Sequence, residues 1–272
     1  MAKKDNNWDR FYTPDLTNVD WHNLKDDIHK VVIIPGHGPL IVRLAWHDAG
    51  TYSIKNGIGG PHAQKLHPHH DKGLQKGRNI LNTLKKKYPG ISLADLWSFA
   101  SAVTISNSGG PIIAWRPGRA DASNGSAMSH DVLPTAFENA TSLRTIFHAK
   151  GFNDREIVAL SGGHNLGAIS ICWNAVRWTA NPKVFGNEYF SRLVNNHMYY
   201  SQADGLFVDK TNKTLALLPS DMALVQDGGF EPVVQEYAAN QSIFYADFGI
   251  AFSKMLELGV GIGLGRPVET VL

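Results

Sequence analysis

Residues 39–50, PLIVRLAWHDAG, set the tightest constraint on how the chain can fold. Leu40, Ile41, Leu44 and Ala45 spread around a helical wheel, so a helix here is buried on most sides. Arg43 and His47 lie four residues apart and share one face, with Trp46 beside them. A guanidinium cannot shed its charge, and burying it unpaired is costly. The fold must wrap this helix and still offer Arg43 an anionic partner, a polar cavity, or charge that develops during a reaction. A neighbouring imidazole is the usual proton shuttle near neutral pH. The alternative is a hydrogen-bonded core histidine and an arginine paired with a carboxylate elsewhere.

The rest of the chain reads as helices packed around that segment. Residues 15–33 carry apolar positions spaced for one helix face. Residues 73–90 form a helix stopped by Pro89-Gly90. Residues 92–110 open on Ser92 with Asp95 three positions on and end at paired glycines. Asn153 and Glu156 have capping-box spacing, and 229–259 reads as one long amphipathic helix with Pro232 in its first turn. A hairpin over 205–218, turning at Thr211-Asn212-Lys213, is the single expected β element. The fold class is therefore mainly α, with two facing lobes and a small β hairpin. The chain is a single domain of 1–272, with one lobe over about 1–135 and the other over about 136–260.

With 272 residues, 43% of them hydrophobic, the chain can build one large core. A net charge of +2 gives no argument for a nucleic-acid partner. Its one cysteine, Cys172, excludes an internal disulfide. No signal or transit peptide of usual composition and no membrane-spanning run is seen, so the expected location is the cytosol.

A second histidine stands out in EIVALSGGHNLGAI, residues 156–169. His164 follows a short helix and Gly162-Gly163, with Gly167 three positions beyond. Glycines at this density let backbone approach something large and flat, and imidazole is a common haem-iron ligand. A turn histidine is the simpler reading of this segment alone.

Taken together, RLAWHDAGTY, IVALSGGHNLG, RWTANPKVFGNEYF and LPSDMALVQD resemble the class I haem peroxidases, the family of ascorbate and cytochrome c peroxidases. The resemblance runs from about residue 15 to about 259. It implies haem b between two helical lobes and reduction of hydrogen peroxide to water by one-electron donors. By motif match His47 is the distal acid–base residue, Arg43 its partner, and Trp46 packs over the haem. His164 is the proximal iron ligand, with Ser161 and Ser170 beside the haem. Asp221 accepts the His164 N–H, and Trp178 stacks near that histidine and relays or holds an oxidising equivalent. On simpler readings Trp178 is core packing and Asp221 caps a helix after Pro219.

Several positions depart from the family's pattern. The arginine and lysine of ascorbate peroxidases align with Trp173 and Pro35, although Arg177 is available to fold back. The methionines of cytochrome c peroxidases align with Ala216 and Leu217. Trp173 is an alternative surface entry for electrons, or a core residue. The asparagine behind the distal histidine is Asp71 here, which favours the protonated imidazole of His47. Asn165 and Gly186 replace a threonine and an aspartate of the cation loop, where Thr179 and Asn181 remain, and this argues against a tight potassium site. His62, His67, His69 and His70 fit no regular zinc spacing. The expected activity is that of an ascorbate peroxidase-like enzyme with an altered ascorbate site, taking a small-molecule or protein donor. A cytochrome c-type or aromatic donor is the alternative, and a haem-based peroxide sensor with little turnover is a further one.

Overall fold

The computed structural model describes residues 19–64, 73–122, 133–169, 176–195, 197–260 and 264–268. Asp71, Ser170, Cys172, Trp173, His67, His69 and His70 lie outside them. The described residues form ten α-helices and five short strands.

Helix α2 (Gly38–Ala49) carries the Arg43 segment and begins with Pro39 in its first turn, where a missing N–H costs nothing. It packs on α4 (Leu93–Asn107), a helix buried on all sides from Ala94 to Ile105. Helix α4 is capped by Ser92, whose hydroxyl accepts the Asp95 N–H at 3.0 Å. Its buried Ser98, Ser101 and Thr104 return their hydroxyls to carbonyls of the preceding turn, at 2.7–2.8 Å. The two helices meet closely: a Cβ at Gly38 would lie 2.8 Å from Thr104 Cγ2. Asp95 and Arg119 form an ion pair that is wholly buried, 3.0 Å apart. Arg119 Nε also donates to the Leu256 carbonyl at 2.8 Å, tying α4 to the end of α10 (Gln241–Leu256).

Some expected elements are broken at polar residues. The helix expected over 15–33 starts at Trp21, because the Asp20 carboxylate accepts the Asn23 N–H at 3.0 Å and caps it. That helix, α1 (Trp21–Ile28), ends in a π turn over His29–Ile33. The helix expected over 229–259 is two, α9 (Glu231–Ala239) and α10, divided at Asn240. Asn240 is extended, and its side chain accepts the N–H groups of Ser242 and Ile243. Helix α3 (Leu74–Lys87) and α6 (Asp154–Ser161) follow the sequence expectation, the latter with the Asn153–Glu156 capping box formed.

The β structure is larger than the single hairpin expected. Strands β4 (Leu206–Asp209) and β5 (Ala216–Leu217) form that hairpin, and β3 (Met198–Ser201) adds to its open edge. Asp209 shapes the turn by accepting N–H bonds from Thr211 and Asn212, both at 2.9 Å. A second pair joins β1 (Ala168–Ile169) to β2 (Val176–Arg177). Arg177 also bridges to Leu215, with its N–H donating to the Thr214 carbonyl at 2.9 Å. This bridge brings Trp178 to the start of α8 (Pro219–Gln226), where it packs against the buried cluster of Ile169, Leu206, Val208, Ala216 and Leu218.

Candidate active site

Helix α2 presents three half-buried side chains on one stripe. Arg43 Nε donates to His47 Nε2 at 3.2 Å. That bond requires an unprotonated Nε2 whose lone pair accepts the Arg43 N–H, and imidazole in this form can take a proton once the bond is released. Trp46 meets the His47 ring edge-on, with centroids 5.1 Å apart. The next residue, Asp48, is buried and accepts the N–H groups of Ala63 at 2.8 Å and Gln64 at 3.0 Å. These bonds fasten the 60–64 loop to the end of α2.

The second histidine lies in a 3₁₀ turn, Gly162–Asn165, that follows α6 directly. Gly162 is required there, because a Cβ would lie 2.5 Å from the Phe244 ring. Gly167, at φ +86°, turns the chain toward α2, and a Cβ on it would come 3.2 Å from Pro39 Cβ. His164 Nδ1 bonds Asp221 Oδ1 at 2.7 Å, and its ring stacks on Trp178, 4.3 Å between centroids and 13° between planes. Trp178 Nε1 donates to Asp221 Oδ2 at 2.9 Å. The Leu218 N–H donates to the same Oδ2 at 2.7 Å, and the Tyr189 hydroxyl to Oδ1 at 2.8 Å.

Asp221 is therefore an acceptor for four groups while 1% exposed. Burial and the adjacent carboxylate push the Tyr189 hydroxyl well above the ordinary phenol range, so it remains a donor. The His164 side chain is 36% exposed although the carboxylate behind it is buried. With Nδ1 engaged, Nε2 is the nitrogen left to bind a metal. This donor set, an imidazole backed by a buried carboxylate and flanked by glycines, fits the proximal side of a haem iron.

The other positions singled out from sequence fall as follows. Ser161 donates its hydroxyl back to the Ile157 carbonyl at 2.9 Å. Arg177 is directed to the Ala180 carbonyl and the Thr214 hydroxyl. Asn165 is buried; its amide donates to the Val184 carbonyl at 2.7 Å and its Oδ1 accepts the Tyr189 N–H at 3.0 Å. Its own carbonyl accepts the Thr179 hydroxyl at 2.9 Å, so Asn165 links the segments around it directly. His62 is buried and bonded to the Ala120 carbonyl at 3.0 Å, with burial lowering its proton affinity. Among the described residues no group of three His, Cys, Asp or Glu side chains could hold a metal ion.

Three residues escaped the sequence reading. Tyr189 lies within the quoted RWTANPKVFGNEYF segment, but an aromatic on a helix face reads as core. Asp48 directly follows His47, yet nothing in the pattern shows that its carboxylate binds a loop. Lys183 belongs to a loop distant in sequence from α2, and its ammonium lies over Gly36, next to Pro35; a Cβ at Gly36 would be 2.6 Å from Nζ.

Comparison with known proteins identifies the family. The peroxidase family profile matches residues 24–240. A mitochondrial cytochrome c peroxidase of Aspergillus fumigatus is 42% identical over 82% of this chain and 64% of its own length. The mitochondrial cytochrome c peroxidase of Emericella nidulans is 41% identical over 82% of this chain and 65% of its own length. A second Aspergillus fumigatus relative, named as a heme-binding peroxidase, is 36% identical over 89% of this chain and 82% of its own length. The chain thus spans about two thirds of the length of the cytochrome c peroxidases it matches. Their mitochondrial designation overturns the cytosolic location expected above. Among the described residues no helix is long and apolar enough to cross a membrane. By its profile match and its relatives, the chain belongs to the class I haem peroxidase family.

Proposed function

We propose that this protein is a mitochondrial haem b peroxidase that reduces hydrogen peroxide to water and takes its electrons from a cytochrome c. The observation that carries the reading is the His164–Asp221–Trp178 group, in which one carboxylate holds an imidazole and a stacked indole together. The names of the relatives favour cytochrome c over the ascorbate-like donor expected from the sequence. In this reading the segment to about residue 135 supplies the distal lobe and 136–260 the proximal one.

His164 Nε2 would hold the iron, and Trp46 would pack over the haem. When bound, the haem supplies the iron centre at which the peroxide bond is cleaved and the oxidising equivalents are stored. His47 takes a proton from one peroxide oxygen on Nε2 and returns it to the other, so that the leaving group departs as water. Arg43 would release its bond to Nε2 as that nitrogen takes the proton, and its fixed charge would then stabilise the negative charge that builds as the O–O bond lengthens. Asp221 keeps the Nδ1–H of His164 in place, which directs Nε2 outward. Trp178, bonded to the same carboxylate, has an acceptor for its N–H if it gives up an electron.

A small anionic donor is a second reading, favoured by Lys183 over the turn beside Pro35. A steady-state panel of reduced cytochrome c, ascorbate and guaiacol decides between them. Fastest turnover with cytochrome c, reduced by Trp178→Phe, is expected. Fastest turnover with ascorbate, reduced by Lys183→Ala and not by Trp178→Phe, transfers the assignment to the anionic donor. A protein that shows a Soret band but no spectral change with stoichiometric peroxide refutes both and leaves a peroxide-binding haem protein.

A further inference from the structure

The Tyr189 hydroxyl donates to Asp221 Oδ1, the same oxygen that binds His164 Nδ1. The two bonds are 2.7 and 2.8 Å, so neither is the weak member of the pair. Oδ2 is filled as well, by Trp178 Nε1 at 2.9 Å and the Leu218 N–H at 2.7 Å. A carboxylate offers about four lone-pair sites, and here all are taken. Three of the donors have evident duties: Leu218 begins α8, Trp178 is placed in its stack, and His164 is oriented. Tyr189 is fully buried, with its ring edge-on to His164 at 5.7 Å and to Phe190 at 5.1 Å. A phenylalanine would fill that space without needing an acceptor. The hydroxyl thus bears on one thing, the charge that Oδ1 presents to His164.

We propose that Tyr189 is a positioning residue that limits the negative charge Asp221 passes to His164, and so sets how strongly that imidazole donates toward the haem iron. The proposal rests on the haem peroxidase reading above. An acceptor shared by two donors binds each less strongly than it would bind one alone. With the hydroxyl removed, Oδ1 draws the Nδ1–H of His164 closer, and the imidazole gains imidazolate character. Greater electron donation favours ferric over ferrous iron. No atom is transferred in this role.

The test is Tyr189→Phe in the haem-loaded protein, read by the iron midpoint potential and by the ferrous iron–histidine stretch in resonance Raman spectra. At fixed potential the ferric-to-ferrous ratio is expected to rise about tenfold, a fall of about 59 mV for one electron, with the stretch moving to higher frequency. Site-specific 3,5-difluorotyrosine at 189, a stronger donor, is expected to move both readouts the other way. A hydroxyl with only a structural role would lower the melting temperature and leave both unchanged, which overturns the proposal. Shifts of the same sign in the two variants overturn it too. Should Tyr189→Phe fail to fold, the difluorotyrosine protein decides alone: a raised potential supports the proposal, and an unchanged or lowered one overturns it. Failure of the peroxidase reading is distinct: the unsubstituted protein would then show no iron–histidine stretch, which overturns both.

Discussion

Replacing Asp221 by asparagine preserves the volume of the side chain and removes its charge, so four buried donors must share one amide. Each carboxylate oxygen accepts two bonds, all between 2.7 and 2.9 Å. Asparagine supplies a single carbonyl oxygen, and its NH2 confronts two donors whichever way it faces. Leu218 N–H and Trp178 Nε1–H are donors only. Tyr189 can rotate its hydroxyl to accept, and His164 can move its proton from Nδ1 to Nε2. The amide nitrogen should therefore settle at the Oδ1 position and donate to His164 Nδ1. That leaves the proton on Nε2, the nitrogen proposed to hold iron. Restoring the ligating tautomer then strands a buried donor, at a cost of about 1–3 kcal/mol, which is about 5- to 150-fold in haem affinity. Titration of the haem-free protein with haem, followed at the Soret band, reads this loss. Loss of charge assistance on the remaining bonds should also lower the melting temperature. Haem affinity within twofold of the parent, with an unchanged melting temperature, would refute the reasoning about Asp221.

Other consequences can be checked separately. His47→Leu should leave the haem spectrum of a proximally ligated protein and slow its reaction with peroxide by about 10²–10⁴-fold, measured by stopped flow; a slowing of less than tenfold removes His47 from proton transfer. Asp95→Asn leaves Arg119, wholly buried, without its countercharge and should cost about 3–5 kcal/mol in urea unfolding; a loss below about 1 kcal/mol would show the pair to be dispensable. Burial raises the Asp209 pKa, but the N–H bonds from Asn212 and Thr211 outweigh it and hold the carboxyl at about 2. Its folded pKa lies below the unfolded one, so its stabilisation is present above about pH 4 and is lost as pH falls toward 2. Asp209→Asn should flatten the acid limb of the stability profile, and an unchanged limb would exclude Asp209 as a contributor.

Where local chemistry and tertiary packing agree, the sequence could be read. Ser92, Asn153 and Pro89 mark helix boundaries by their own hydrogen bonding and backbone limits, and the structure puts boundaries there. Asn240 was missed because the apolar period continues across it on both sides, and hydropathy carries no record of one extended residue whose side chain caps the following helix. Strands β1, β2 and β3 run two to four residues each, too short for alternation to show. At the site, Arg43 with His47 was legible because i and i+4 share a helix face. His164 stood out by its glycines, but Trp178 and Asp221 could be joined to it only through resemblance, since 57 residues separate His164 from Asp221 and nothing local joins them. Tyr189 and Lys183 act through contacts made by tertiary folding.

The two readings of Asp221 turn out to describe the same atoms. Its place after Pro219 suggested the N-cap of a helix; α8 instead begins at Pro219 with Asp221 in its first turn, from where Oδ2 reaches back to accept the Leu218 N–H. Resemblance suggested a histidine anchor, and Oδ1 does bind His164. A carboxylate fixed on one oxygen by the backbone of α8 has little freedom left on the other, so the helix start becomes the reference from which the imidazole is aimed. Trp178 strengthens that reference by bonding the cap oxygen while stacking on the ring that the other oxygen holds. The bridge from Arg177 to Leu215 delivers the indole to that place. The orientation of His164 is thus determined by a helix terminus and a short sheet, both assembled from segments after residue 168, and a substitution that loosens either should disturb the His164 imidazole without touching it.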